Sequence, residues 1–221
     1  MLKKIVTLSL FPLLLMSCGS TNVWSETKDK TTELEMKTIL ALWDSLTARY
    51  NLDISDSYPS QLEKKLQENN YNYEIINAWV SGDTSKNLLD RIWLYQETPA
   101  EIYLLTIWWN DGLRRQSISD MKENIQKIID EIYVQNADAK IILGGMKLPI
   151  NYGLDYASDF KWAYEELADE NNLEFYPHFL KDVQQKPDLN LSDRIHPNAE
   201  WYTIISDNLY EFLEENNIIS K

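Results

Sequence analysis

The sequence predicts an α/β fold, a three-layer α/β/α sandwich built on a five-stranded parallel sheet. Two observations carry this. Short apolar runs alternate with longer amphipathic stretches along most of the chain, and strands separated by helices of such length must be joined by right-handed crossovers, which lay helices on both faces of the sheet. The polar loops that follow three of the apolar runs hold most of the residues able to do chemistry, which is where a parallel sheet places its site.

The elements follow in order. Strands are expected at 38–42, 73–78, 101–107, 139–143 and 173–175, each short, apolar and rich in β-branched or aromatic residues. Helices are expected at 58–69, 85–95, 118–135, 156–170 and 198–215, where apolar residues recur at three- and four-residue spacing. One domain over 36–221 accommodates all of them. With 44% hydrophobic and 25% charged residues, the chain has the composition of a folded globular protein.

A net charge of −14, spread along the chain, disfavours nucleic acid and anionic membrane surfaces as partners, because the phosphate field repels it. Lys3 and Lys4 precede an apolar run from Ile5 to Met16, too short to span a bilayer but suited to a signal-peptide core. Residues 1–17 thus read as a signal peptide, and Leu15-Met16-Ser17-Cys18-Gly19 resembles the site at which bacterial lipoproteins are cleaved before a lipidated cysteine. Cys18, the sole cysteine, is the expected lipid attachment point. It implies an extracytoplasmic, membrane-anchored protein, or a secreted one if Cys18 carries no lipid. Residues 18–35 are polar and lack an apolar period, as a tether does.

Four polar blocks carry the chemistry. Asp44-Ser45-Leu46-Thr47 follows the first strand, Ser81-Gly82-Asp83-Thr84 the second and Asn110-Asp111-Gly112 the third; Asp193-Arg194-Ile195-His196-Pro197-Asn198 precedes the last helix. Acyl transfer needs a hydroxyl nucleophile, a base in reach of it, a carboxylate to orient the base, and donors aimed at the developing oxyanion. Ser45, His196 and Asp193 supply the first three. The backbone N–H groups of Ser45 and Gly82 and the side-chain amide of Asn110 supply the donors. The other histidine, His178 in Tyr176-Pro177-His178-Phe179, reads as structural.

These four blocks resemble the SGNH, or GDSL-type, hydrolases, and within them the acyl-CoA thioesterase, lysophospholipase and arylesterase branch. The likeness spans Thr38 to Leu213. Trp43-Asp44-Ser45-Leu46-Thr47-Ala48-Arg49-Tyr50 stands where that family has Gly-Asp-Ser-Leu-Thr-Ala-Gly-Tyr, and Asn77-Ala78-Trp79-Val80-Ser81-Gly82-Asp83-Thr84 where it has Asn-Ala-Gly-Val-Ser-Gly-Asp-Thr. Leu148-Pro149-Ile150-Asn151-Tyr152-Gly153 is similar to a loop that borders the acyl pocket in the thioesterase-like branch, which makes Leu148, Pro149, Asn151 and Tyr152 candidate substrate contacts. The resemblance implies a flavodoxin-like sheet, no metal, no organic cofactor and a small acyl ester or thioester substrate; separately from it, a monomer is expected.

Tryptophan stands at 43, 79, 108, 109 and 201, where the family carries glycine, and arginine at 49, 115 and 194; Trp93, by contrast, reads as a core residue. The chain has 6 glycines and 8 tryptophans, against roughly 15 glycines at average usage of about 7%. A UGA codon read as glycine in the source lineage and as tryptophan in translation produces this pattern, and UGG at those codons excludes it. Three readings compete with an active serine esterase or thioesterase: an inactive binding module on the same fold, a carbohydrate acetylesterase, and a flavodoxin-like anion binder. The last needs a glycine-rich loop after the first strand, which Asp44-Ser45-Leu46-Thr47-Ala48 does not provide.

Overall fold

In the computed structural model, residues 36–43, 52–107, 109–192 and 197–221 are described. The five strands are β1 (Lys37–Leu42), β2 (Tyr73–Asn77), β3 (Ile102–Leu105), β4 (Lys140–Gly144) and β5 (Glu174–Tyr176). All pair in parallel in the order β2-β1-β3-β4-β5. This is the doubly wound order in which the winding reverses between β1 and β3, opening a crevice at their carboxyl ends.

The helices are α1 (Tyr58–Glu68), α2 (Ser85–Arg91), α3 (Trp109–Leu113), α4 (Ile118–Gln135), α5 (Leu154–Asn171) and α6 (Ala199–Glu215). With right-handed crossovers, reversal of the winding puts α1 on one face and α2, α4 and α5 on the other. α6 joins α1: Thr203 Oγ1 donates to Gln61 Oε1 at 2.8 Å and Lys65 pairs with Asp207. Those contacts run in parallel, so α1 and α6 both start at the carboxyl edge of the sheet.

Local chemistry explains the boundaries. α1 opens on Ser57, whose hydroxyl accepts from Ser60 N, with Pro59 in the first turn; it buries Tyr58, Leu62 and Leu66, one stripe at four-residue spacing. α4 is capped by Ser117 and buries Met121, Ile125, Ile128, Ile129 and Ile132. α5 ends on Asn172 in the left-handed conformation, a C-cap that asparagine tolerates. The strands are apolar throughout because both faces are covered: Ile39 to Leu42 and Ile102 to Leu105 are all buried.

The expected helix 85–95 is α-helical only to Arg91 and then tightens into a 3-10 turn over Ile92–Tyr95. The change of period turns Trp93 outward. Expected in the core, Trp93 is 59% exposed, its Nε1 donating to Asp90 O.

Ile129→Ala should lower stability by roughly 2–5 kcal/mol, whereas Val134→Ala on the exposed side of the same helix should cost under about 0.5. Urea midpoints of the two variants check this.

Candidate active site

Three strand-to-helix connections converge beyond β1, β2 and β3, and the second, residues 78–84, is held from several sides. Arg91 spans it: Nε donates to Asp83 Oδ2 at 2.6 Å, Nη2 to Ala78 O at 3.0 Å and Nη1 to Tyr95 Oη at 2.9 Å. The Arg91–Asp83 pair is largely buried, and such a pair must be fully bonded to persist, because each ion loses its hydration. At the tip, Gly82 has φ +80°, a conformation that glycine adopts without steric cost. Thr84 closes the loop with a reciprocal capping box to Asn87.

The third connection is the short helix α3, where an irregular loop is expected from sequence. It carries Asn110 and Asp111 side by side, both buried. Asn110 Nδ2 donates to Asp83 O at 3.0 Å, bringing its amide against the Asp83-Thr84 peptide, one residue after Gly82. Asp111 accepts two hydrogen bonds from Ser85, from the backbone N at 2.8 Å and from Oγ at 2.7 Å. Asn124 Nδ2 donates to the same hydroxyl at 3.2 Å. The second and third connections are thus bolted together through the first turn of α2. Burial pushes the Asp111 carboxyl above its ordinary range, against the pull of the Ser85 hydrogen bonds and of Arg114.

Gly112 allows this close approach, since a Cβ there would lie 2.7 Å from Leu148 and Phe160 side-chain atoms. The neighbouring loop packs on α3: Leu148 is buried, Pro149 and Tyr152 are half-buried, and Asn151 is exposed. Behind it, Gln184 joins His178 Nε2 at 2.9 Å and donates to Lys147 O, which gives His178 a bracing part away from α3. Burial pulls the His178 pKa down.

The last block is held at its end. Asn190 and Pro197 form an antiparallel bridge, Asn198 N donates to Leu189 O, and the Asn198 side chain caps α6 by accepting from Trp201 N at 3.0 Å. Cys18, Ser45, Trp108, Asp193 and His196 lie outside the described residues. Among the described positions where tryptophan stands in place of the family's glycine, Trp43 turns its indole into the core. It is fully buried, with its ring centroid 4.8 Å from that of Tyr58 and its Nε1 without a partner among the described residues. Neither Trp43, Trp79, Trp109 nor Trp201 has a positive φ.

Residues 41–204 match the model of the GDSL-like Lipase/Acylhydrolase family. The chain belongs to this family. It is similar to an arylesterase of Vibrio mimicus, 34% identical over 164 residues that make up 73% of this chain and 80% of that protein. It is equally similar to thioesterase 1/protease 1/lysophospholipase L1 of Escherichia coli, 34% identical over 172 residues, 77% of this chain and 80% of that protein. The crystal structure of the psychrotrophic esterase EstA from Pseudoalteromonas sp. superposes with a TM-score of 0.75 at 28% identity, covering 82% of this chain and 98% of that one. The chain is accordingly an ester or thioester hydrolase with the GDSL-type fold.

The network of Ser85, Asp111, Asn124 and Arg91 is not foreseeable from the sequence. Only the adjacency of Asn110 and Asp111 hints at it, since two neighbouring side chains on a one-turn helix can serve two loops at once.

Asp111 makes a pH test possible. Its folded-state pKa is raised, so the stability it allows is complete below the unfolded value of 3.8 and is lost as pH rises through the folded value. Asp111→Asn should be the weaker protein near pH 4, because an amide offers one oxygen where Ser85 donates to two. It should gain on the unsubstituted chain as pH rises toward 7. Urea midpoints of both proteins at the two pH values measure this, and a constant difference would place the titrating group elsewhere.

Proposed function

We propose that this hydrolase cleaves small acyl esters or thioesters of lysophospholipid, aryl or thiol leaving groups, with Ser45 as nucleophile, His196 as general base and acid, and Asp193 orienting the imidazole. The observation that carries the reading is the 3.0 Å hydrogen bond from the Asn110 amide to Asp83 O, one residue after Gly82, at the carboxyl edge beside β1. Two loops that supply oxyanion donors in the family are locked together there before substrate arrives. The names of the relatives, an arylesterase and a thioesterase 1/protease 1/lysophospholipase L1, support this substrate range.

In the first step Ser45 Oγ bonds to the acyl carbon while its proton passes to His196. The carbonyl π pair moves onto oxygen, where the N–H groups of Ser45 and Gly82 and the Asn110 amide receive it. Collapse breaks the bond to the leaving oxygen or sulfur, which takes the proton from His196. Water then repeats the sequence and frees Ser45. One N–H of Asn110 goes to Asp83 O and fixes the plane of the amide, so its aim is set by the fold. Preorganised donors of this kind need no reorientation as charge develops.

Ser45→Ala should abolish turnover of p-nitrophenyl butanoate, and Asn110→Ala should lower kcat by roughly 10²–10³-fold with a smaller change in KM. Retained activity in Ser45→Ala would remove the nucleophile assignment. For location, we propose that Cys18 is lipidated after cleavage of residues 1–17 and that 18–35 tether the domain. Cys18→Ser should abolish incorporation of labelled palmitate and release the protein from the membrane fraction of a bacterial host.

A further inference from the structure

The connections after β4 and β5 leave the sheet together. Gly145 N donates to Tyr176 O at 2.7 Å and Phe179 N to Gly145 O at 2.9 Å. Beyond that root they part around a cavity of about 370 Å³, with Lys147, Leu148 and Pro149 on one wall and His178, Leu180 and Gln184 on the other. The stretch 147–149 therefore has open space at its back, into which a loop can retreat because no close-packed neighbour opposes it. Gln184 crosses that space. Its Nε2 donates to Lys147 O at 2.9 Å, which leaves Oε1 to accept from His178 Nε2 at 2.9 Å and sets the proton on that ring nitrogen. The turn that carries Gln184 is left-handed at Asp182, φ +67°, and at Gln185, φ +62°, a conformation strained for residues with a side chain. Both residues are exposed, so the two bends gain no burial; what they place is Gln184.

On its other face the same stretch bears on α3. A Cβ at Gly112 would lie 2.7 Å from Leu148 Cδ2 and from two Phe160 ring atoms, so the buried Leu148 side chain rests directly on the helix backbone. α3 is little more than one turn long, Trp109–Leu113, and Asn110 stands two residues before Gly112 in it. The Ser85 hydrogen bonds to Asp111 hold α3 from the side of α2, and Leu148 holds it from the side of β4. Resting on the hydrolase reading above, we infer that Gln184 is a positioning residue of the reaction: by holding Lys147 O across the cavity it keeps Leu148 pressed on α3 and so sets the aim of the Asn110 amide at the developing oxyanion, with His178 orienting Gln184. Neither residue touches substrate. Both act through the placement of a donor whose value depends on its geometry in the transition state.

The test is a double-mutant cycle on the full chain with p-nitrophenyl butanoate. Gln184→Met keeps the length of the side chain but neither donates to Lys147 O nor accepts from His178. It should lower kcat by roughly tenfold and change KM by less than about twofold, a part of the loss expected for Asn110→Ala. In the Asn110→Ala background the same substitution should lower kcat by less than about twofold, because the group it aims is gone. His178→Phe keeps a ring and removes the N–H; it should act in the same direction by about threefold and add nothing to Gln184→Met, and it tests the same tie if Gln184→Met does not fold. An unchanged kcat, or equal losses with and without Asn110, overturns the inference and leaves Gln184 a structural tie. A second measurement is independent of turnover. The nitrogen–proton cross-peaks of the Asn110 side-chain amide, identified by their absence from Asn110→Ala, should move in Gln184→Met and in His178→Phe. If the unsubstituted chain turns over no ester, the hydrolase reading fails and these cross-peaks decide the positioning alone, with unmoved cross-peaks overturning it.

Discussion

The paired hydrogen bonds from Ser85 to the buried Asp111 carboxylate are what make a single site out of separate loops. A parallel sheet brings strand-to-helix connections to one edge but does not fix their distances to one another, because each belongs to a different crossover. Here the first turn of α2 grips α3 directly. The consequence for chemistry is geometric: Asn110, one residue before Asp111, cannot drift from Gly82 without breaking both bonds. Burying that carboxylate costs free energy at neutral pH, as its raised pKa records. The molecule spends stability to hold two loops in register, a trade found where loops must be preorganised.

Reinforcement comes from the opposite side of the same loop. Arg91 reaches back across a whole turn of α2 to hold Ala78 O and the Asp83 carboxylate, so the loop is clamped at both ends and capped at its tip by Arg114. α2, α3 and α4 each contribute a side chain, and Arg114, in the turn after α3, adds Nη2 donating to Gly82 O at 2.9 Å. The loops themselves contain little that could order them locally, apart from the capping box at Thr84 and the left-handed turn at Gly82.

The fold was legible in the sequence because the period of the apolar residues changes cleanly from strand to helix. The helix 118–135 matches α4 residue for residue, and the strands differ by one or two residues at their ends, where hydrogen bonds begin and stop without any side-chain signal. Trp93 was misread for a physical reason: a helical period projected past Arg91 places it inside, while the 3-10 turn rotates it out. Within the candidate site, Gly82, Asn110 and the loop from Leu148 to Tyr152 could be picked out because residue type and block order speak for them. The Ser85–Asp111 bond could not, since it joins residues 26 positions apart that no periodicity relates. The tryptophans differ again. Trp43 fills core space beside Tyr58 with an Nε1 that has no partner among the described residues, and a buried donor left unmatched is costly; the codon at that position is the direct way to learn which side chain the organism uses.

Lys37, at the start of β1, donates to Ser220 Oγ at 2.6 Å, and Ser220 N donates to Tyr73 Oη at 3.3 Å. The two extremities of the folded unit are therefore neighbours on the amino edge of the sheet, while Gly82 and Asn110 stand on the carboxyl edge. A bead or a fluorescent partner fused at either extremity is therefore attached at the edge of the sheet opposite Gly82 and Asn110. The same adjacency makes this a natural scaffold for circular permutation, with a short linker from Lys221 to Met36 and new ends cut in an exposed turn away from the rim.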